Sequence, residues 1–309
     1  MSLLKHTWRI MSTNWPVKTR EMHNHHINSE IWNDVTFRDD DIIVSTWAKA
    51  GTTWVQQIVS QLLTHGKPGI PISETSPWVD MRVPPAEVKL PMVEALESPR
   101  VLKTHLPVDA LRFSPDAKYI YVGRDGRDVV WSLHNHHMEA GDVWYDKLNN
   151  SPGLVGDPVS RPNPDVSAYF DEWLEKDGYP MWSFWENVRT WWEIRDLPNV
   201  EFVHFSDLKK DRPGEIRRLA EFLEIAIDED KWDDILLHTS FEHMKENAAL
   251  AAPMGGKLWD RGAQVFINKG ANGRWNDVLT SEQVSLYEET AVRELGEETA
   301  HWLANGSLD

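Results

Sequence analysis

Three cationic residues and one histidine each follow or end a short apolar stretch that predicts a buried strand. They are Lys49, Lys103, His105 and Arg124. In open α/β sheets the ligand lies outside the carboxyl ends of the strands, so we expect these side chains to meet in one crevice. Three cations suit a polyanionic ligand, and an imidazole suits the removal of a proton near neutral pH. The residues alone therefore predict a site that binds a polyanion and moves a proton.

Residues 41–63 have the pattern of a strand, a tight turn and a helix. A helix that begins at such a turn points its free N–H groups and the positive end of its dipole at an anion. The turn is close to a Walker A loop but differs from it, because Lys49 precedes Gly51 whereas the motif places its lysine after the second glycine. The alternative interpretation is a plain strand-to-helix turn.

Strands that alternate with helices predict one α/β domain, with a central, mostly parallel sheet flanked by helices on both faces. The expected strands cover residues 42–44, 100–104, 118–123 and 200–205. The expected helices after the first turn cover residues 125–138, 179–196, 213–223, 228–238 and 281–303. Long loops are expected over residues 141–164 and 247–272. The domain is expected to span residues 1–309, with residues 1–35 as a loose extension.

The composition limits the partners. The net charge of −17 argues against a nucleic acid or an anionic membrane as partner. The chain has no cysteine, which excludes disulfides and thiol chemistry. Because no long apolar run and no signal-peptide pattern is present, we expect a cytoplasmic protein without a membrane span.

Six segments resemble, in the same order, the conserved blocks of the cytosolic sulfotransferase family. They are STWAKAGTTW, LKTHLP, YVGRDGRDVVWS, ENVRTWWE, HTSFEHMK and NKGANGRWNDVLT, the last of which corresponds to the family pattern RKGxxGDWKNxFT. The blocks span about residues 40–280, which is most of the chain. The resemblance implies a P-loop-like α/β fold. It also implies an enzyme that moves a sulfuryl group from 3′-phosphoadenosine 5′-phosphosulfate (PAPS) to a hydroxyl or amine of an acceptor molecule.

The resemblance also implies roles for individual residues. His105 would be the general base, with Lys103 and Lys49 close to the transferring group. Two sets of residues would bind the donor, one at its 5′-phosphosulfate and one at its 3′-phosphate and adenine. The first set is Lys49, Ala50, Gly51, Thr52, Thr53 and Trp54, and the second is Arg124, Ser132, Thr239, Phe241, Asn268, Lys269 and Gly270. Trp54 would stack on adenine or, alternatively, lie in the core. No metal is implied, because the leaving group is already a stable phosphate.

The chain departs from the family pattern at several positions. Asn268 stands where the family has arginine, which removes a charge from the implied 3′-phosphate site. Ala50 replaces a serine, which removes a hydroxyl but keeps the backbone amide. Asn276 and Ser285 replace a lysine and a glutamate of the family's dimer segment, so the oligomeric state is open.

Two other functions are weighed against this one. A kinase-like P-loop enzyme would require Mg²⁺ and a GK[ST] loop, which the sequence lacks. A catalytically silent nucleotide-binding protein would be expected to have lost His105 or Lys49, and both are present.

The acceptor pocket is expected to form from residues 74–95, 140–165 and 247–267, where the resemblance is weakest. Its predicted apolar and aromatic wall consists of Trp78, Met81, Trp144, Met254 and Trp259. A phenol, a steroid-like alcohol or a lipid alcohol would fit. The histidines of residues 23–26 and 134–137 match no known metal-ligand spacing, and those of 134–137 are expected to line this pocket or to pack beneath it.

Overall fold

A parallel sheet of four strands organises the structure, a computed structural model that describes residues 14–307. The strands are β1 (Ile42–Thr46), β2 (Val101–Thr104), β3 (Lys118–Gly123) and β4 (Val200–His204). They lie in the order β2-β1-β3-β4, and all neighbours run parallel. The four predicted strands are therefore confirmed, with ends that differ by at most two residues.

Helices cover both faces of this sheet, as predicted. In the described part of the chain they are α1 (Ile31–Asp34), α2 (Thr52–Leu63), α3 (Ile72–Thr75), α4 (Ala86–Glu94), α5 (Gly126–Glu139), α6 (Asp142–Asn150), α7 (Val166–Glu175), α8 (Phe184–Trp192), α9 (Phe205–Lys210), α10 (Arg212–Leu223), α11 (Trp232–His238), α12 (Phe241–Glu246), α13 (Ala248–Ala251), α14 (Ser281–Leu295) and α15 (Glu297–Asn305).

Successive strand residues enter two separate cores. Ile43 and Tyr121 pack with α5, α7 and α8 on one face, whereas Val44 and Val122 pack with α2, α10 and α11 on the other. Because both faces of the central strands are buried, Ile42–Val44 and Tyr119–Val122 are apolar at successive rather than alternating positions. This burial makes the sheet a rigid support for the residues that follow each strand. None of the helices in residues 14–307 has the length and apolar character needed to cross a bilayer.

The structure corrects both predicted loops. Residues 141–164 contain α6, whose buried face consists of Trp144, Tyr145 and Leu148. Flanking Gly, Asn and Asp residues concealed this short apolar pattern. Residues 247–272 contain α13, and α7 was not predicted at all, although Asp165 caps it by accepting a hydrogen bond from the N–H of Ser167.

Three predicted helices have different bounds. The helix expected over 179–196 begins only at Phe184, because Ser183 caps it there. The helix expected over 228–238 begins as a 3₁₀ turn and becomes α11 at Trp232. The helix expected over 281–303 is divided into α14 and α15 by Gly296, whose φ of +80° is incompatible with a continuous helix.

Residues 14–35 do not form the loose extension that was expected. Ile27 and Trp32 are fully buried against the rest of the structure. Arg20 forms ion pairs with Asp109 at 2.7 Å and with Glu186 at 2.6 Å. The remainder of the expected extension, residues 1–13, lies outside the described residues. The N-terminal segment that is described is therefore part of the domain and brings its histidines next to the sheet.

Candidate active site

A cavity of about 740 Å³ opens at the carboxyl ends of the strands. Lys49, Lys103, His105 and Arg124 all line it, so the structure brings together the residues from which the site was predicted. Most of the other predicted site residues line it too: Gly51, Thr52, Thr53, Trp54, Ser132, Phe241, Asn268, Lys269 and Gly270. Two of the predicted residues, Ala50 and Thr239, are buried and do not line the cavity.

The turn between β1 and α2 is held in an unusual backbone conformation. Lys49 has a φ of +68° and Gly51 a φ of +120°. A side chain at Gly51 would also approach the Phe205 ring to 2.9 Å, so the position requires glycine. No side chain caps the N-terminus of α2, and its first N–H groups have no partner within the helix. The turn therefore offers backbone donors to an anion in the cavity.

The neighbouring helix α5 differs in this respect. Asp125 caps it by accepting a hydrogen bond from the N–H of Arg127 at 2.9 Å. The same carboxylate also forms a 2.7 Å ion pair with the Arg127 guanidinium. The N-terminus of α5 is thus already occupied by an anion of the chain, whereas that of α2 is available.

His105 is held with one ring nitrogen committed to the backbone. Its Nδ1 lies 2.6 Å from the carbonyl oxygen of Thr46 and 3.1 Å from the Thr46 hydroxyl. Because a carbonyl oxygen only accepts, the ring proton is assigned to Nδ1, and Nε2 keeps its lone pair. Burial, together with the charges of Lys103 and Lys49, holds the pKa of His105 well below its usual value. The imidazole is therefore neutral and able to accept a proton at Nε2.

Lys49 and Lys103 line the cavity, and neither has an ion-pair partner among the described residues. Burial, with smaller contributions from Lys103 and Arg124, lowers the pKa of Lys49 to about 7. Burial lowers the pKa of Lys103 to about 8, although the charge of Asp80 acts in the opposite direction. Lys49 Nζ lies 3.3 Å from Nδ1 of His136. Both pKa values are low mainly because burial desolvates the ammonium groups, and a bound anion would raise them.

Arg124 connects the turn after β1 with the loop at residues 268–274. Its guanidinium donates to the carbonyl oxygens of Lys49 at 3.2 Å and Ala271 at 3.0 Å. It also donates to Asn272 Oδ1 at 2.9 Å and stacks over the Phe205 ring. Burial lowers its pKa to about 10, which leaves it charged at neutral pH. Arg124 is thus a cation of the cavity wall whose hydrogen bonds fix two loops.

The loop that contains Asn268, Lys269 and Gly270 packs next to α12. Gly270 has a φ of +57°, and a side chain there would collide with the Phe241 ring at 2.6 Å. Lys269 is exposed, and Asn268 is partly buried. The loop therefore approaches Phe241 through a glycine, with its polar residues at the rim of the cavity.

Trp54 lies at the same end of the cavity. Its indole Nε1 donates to the carbonyl oxygen of Thr239 at 2.9 Å, and its ring contacts that of Phe205 edge to face. Thr239 therefore acts on the site through Trp54 rather than by lining the cavity. The ring of Trp54 is only partly buried, so one surface of it is open to a ligand.

The other end of the cavity is aromatic and carries neutral imidazoles. All five residues of the predicted apolar wall line it, together with Met181 and Phe266. His136 and His137 also line it, whereas His134 is turned away and bonded to the Asn163 carbonyl oxygen at 2.8 Å. Burial is the main reason that the pKa of His136 lies well below its usual value and that of His137 at about 3. In residues 14–307, no group of three or more His, Asp or Glu residues is arranged to hold a metal ion.

Several cavity residues were not predicted from the sequence. His26 reaches the cavity from the N-terminal segment, and Lys209 and Arg274 reach it beside residues 268–270. Arg274 could have been found, because it stands where the family pattern has aspartate, in the same block in which Asn268 replaces arginine. The cation lost at one position is thus accompanied by a cation gained at another.

Comparisons with known proteins agree with this geometry. A family model described as the sulfotransferase domain matches residues 39–299. The rat protein sulfotransferase 1 family member D1 is 31% identical over 285 residues, which cover 88% of this chain and 90% of that protein.

Two solved structures are similar in fold. The mouse sulfotransferase SULT7A1 complexed with PAP has a TM-score of 0.69 at 21% identity, over 89% of this chain and 92% of that one. A retinol dehydratase in complex with androsterone and the inactive cofactor PAP has a TM-score of 0.64 at 22% identity, over 86% of this chain and 83% of that one.

Proposed function

The chain belongs to the sulfotransferase family and is an enzyme of that class, and we propose that PAPS is its sulfuryl donor. The proposed acceptor is a hydroxyl or amine of a small, apolar molecule, and the proposed general base is His105. The observation that carries the proposal is the position of this imidazole in one cavity with two lysines and an uncapped helix N-terminus.

In this proposal His105 Nε2 accepts the proton of the acceptor hydroxyl while the hydroxyl oxygen forms a bond to sulfur. The bond between sulfur and the bridging phosphate oxygen breaks, and that oxygen keeps the electron pair. Lys49 and the first amides of α2 stabilise the negative charge that develops there. The Thr46 carbonyl oxygen keeps the imidazole in the required tautomer and stabilises it once it is protonated. General base catalysis of this kind typically contributes ~10²–10⁴-fold to the rate.

The residues present fit an adenosine nucleotide with phosphates at both ends. The turn after β1 supplies Lys49 and backbone donors for the 5′ side. Arg124, Ser132 and Lys269 are proposed for the 3′-phosphate, with Asn268 and Gly270 beside them. Trp54 and Phe241 are proposed to hold the adenine, a planar group that stacks on aromatic rings.

An apolar acceptor is supported by the aromatic wall at the other end of the cavity. The similar retinol dehydratase has been crystallised with androsterone, an alcohol on a large apolar ring system. We therefore place phenols and ring-bearing alcohols first among the acceptors to be tested. The cytoplasmic location expected from the sequence stays a prediction.

The test is a transfer assay with PAPS labelled in its sulfate group and a panel of phenols, alcohols and amines. We expect label in at least one ring-bearing phenol or alcohol, and full activity in the presence of a metal chelator. No transfer to any class of acceptor would contradict the proposal. Loss of all activity with the chelator would favour the kinase-like alternative, which needs Mg²⁺.

A further inference from the structure

Two adjacent histidines in the N-terminal segment form a hydrogen-bonded chain that ends at the cavity. His25 Nε2 lies 2.5 Å from the carbonyl oxygen of Pro180, and His25 Nδ1 contacts Nδ1 of His26. The backbone around them is fixed as well, because Asn24 Oδ1 accepts a hydrogen bond from the N–H of His26 at 2.8 Å. The His26 side chain lines the cavity, whereas His25 does not.

The chain of contacts determines where the protons are. The Pro180 carbonyl oxygen can only accept, so the proton of His25 is on Nε2 and its Nδ1 has a lone pair. His26 must then donate from Nδ1, which leaves a lone pair on His26 Nε2. Both rings are neutral in this arrangement. Burial and the nearby Arg82 guanidinium, which donates to the His25 carbonyl oxygen at 3.2 Å, oppose a positive charge on either ring.

His26 lies close to the proposed base. Both His26 and His105 pack against the indoles of Trp78 and Trp182, with centroid distances of 6.3 and 6.4 Å for His26. The corresponding distances for His105 are 4.6 and 5.8 Å. His26 and His105 therefore line the same part of the cavity.

We propose that His26 is a specificity-determining residue that accepts a hydrogen bond from a second hydroxyl of the acceptor, so that the natural acceptors are diols or polyhydroxylated ring compounds. The proposal rests on the proposed function, because it presumes that one hydroxyl of the acceptor is at His105. A lone pair in a wall of indoles and neutral imidazoles favours a donor at that point, since an acceptor molecule without one leaves His26 desolvated and unpaired. His25 is a positioning residue, which acts only by fixing the tautomer of His26.

The test uses sets of rigid phenols that differ only at a distal position, which carries a hydroxyl, a hydrogen or a methyl ether. The hydrogen compound controls for size, and the methyl ether can accept but cannot donate. We expect at least one set in which the wild-type enzyme prefers the hydroxyl compound by about five- to tenfold in kcat/KM over both others. The preference should vanish in His26→Phe, be partly retained in His26→Gln, which keeps an accepting oxygen, and weaken in His25→Phe.

Calorimetry can measure the preference for the hydroxyl compound without turnover. It uses the enzyme loaded with 3′-phosphoadenosine 5′-phosphate (PAP), which is the donor without its sulfuryl group. Nitrogen-15 spectra of the imidazoles should show a protonated Nδ1 and an unprotonated Nε2 for His26. A proton on His26 Nε2, or the same preference in His26→Phe as in the wild type, would overturn the inference while leaving the proposed function intact. Absence of sulfuryl transfer in the wild type would instead refute the proposed function. In that case the calorimetric preference and the tautomer of His26 would still test the role of His26 in binding.

Discussion

The two ends of the cavity differ in the chemistry of their walls and in the elements that supply them. The end next to β1 presents cations and backbone N–H groups from residues that directly follow strands, such as Lys49 and Arg124. The other end presents indoles and neutral imidazoles, such as Trp78 and His136, from loops and short helices. Cations and free backbone N–H groups are thus concentrated where an anionic donor would bind, whereas aromatic rings and neutral imidazoles dominate where an acceptor would bind.

From this comparison we infer that the reaction and the choice of acceptor depend on separate parts of the molecule. The cationic end is electrostatically unfavourable while it has no anion, as the low pKa of Lys49 shows. The aromatic end has no such requirement, because its histidines are neutral and their nitrogens need only hydrogen bonds. His105 is located where the two ends meet, in contact with Trp78 and under the influence of both lysines. Substitutions at the cationic end should therefore change the affinity for the nucleotide, whereas substitutions at the aromatic end should change the preference among acceptors.

His105 lies between the two ends of the cavity, and the substitution His105→Ala has the largest expected effect. We expect kcat to fall by ~10²–10⁴-fold, because the acceptor hydroxyl loses its base. The affinity for 3′-phosphoadenosine 5′-phosphate (PAP), measured by calorimetry, should be nearly unchanged, because the donor is held elsewhere. Near-normal kcat in this variant would refute the assignment of His105 as the base.

Lys49→Met should lower both kcat and the affinity for PAP, whereas His105→Ala should lower only kcat. A charge-assisted hydrogen bond contributes ~1.5–3 kcal/mol, so we expect roughly a 10- to 150-fold weaker PAP affinity. The fall in kcat should be added to this, because Lys49 is also proposed to face the oxygen that becomes negative. Calorimetry and steady-state kinetics on the same preparation separate the two effects. A variant with weakened turnover but normal PAP affinity would place Lys49 outside the ground-state donor site.

The two phosphates of the nucleotide provide a third comparison, within the cationic end alone. At about 100 times its dissociation constant, PAP should stabilise the fold by ~2.7 kcal/mol. Adenosine 5′-phosphate at the same concentration should raise the melting temperature less, because it leaves the proposed 3′ site empty. Equal shifts of the melting temperature with the two nucleotides would show that Arg124, Ser132 and Lys269 do not bind the 3′-phosphate.

The pH dependence of PAP affinity should also distinguish the two ends. Lys49 has a pKa of about 7 in the ligand-free protein, and a bound anion raises it. Lys49 is therefore largely neutral above pH 7 and must take up a proton when PAP binds. Affinity should fall by up to about tenfold per pH unit between pH 7 and 8, and this slope should disappear in Lys49→Met. Above pH 8 Lys103, with a pKa of about 8, adds a second contribution that the variant keeps. Calorimetry in buffers with different ionisation enthalpies measures the proton uptake, and a proton release would contradict the prediction.

The smallest expected effect is at Asn268. Arginine there would add a charged, bidentate donor to the proposed 3′ site, so Asn268→Arg should tighten PAP binding by up to about tenfold. The gain should be lost at high salt and for adenosine 5′-phosphate. Because Arg274 already reaches the cavity, the gain should be larger in an Arg274→Gln background. Equal affinities in all four combinations would indicate that this loop does not face the phosphate.

The cationic end could be predicted from the sequence because its signals are local. Lys49, Gly51 and the start of α2 lie within a few residues of one another, and the strand pattern placed Lys103, His105 and Arg124 at the same edge. The aromatic end depends on contacts between distant segments. The bond from His25 to Pro180 joins residues that lie 155 apart in sequence, and no spacing rule predicts it. In the same way α6 was missed, since three apolar residues between Gly and Asn are a weaker signal than a tertiary contact.

The bonds of Arg124 have one more consequence. A single guanidinium joins the carbonyl oxygen of Lys49, at the 5′ turn, to Ala271 and Asn272 in the loop proposed for the 3′-phosphate. The two proposed phosphate sites are thus linked through one side chain, and we expect a ligand that orders either loop to help order the other. Fragments of the nucleotide should consequently bind with positive cooperativity, and the intact nucleotide should be favoured over both halves by more than the sum of their separate contacts.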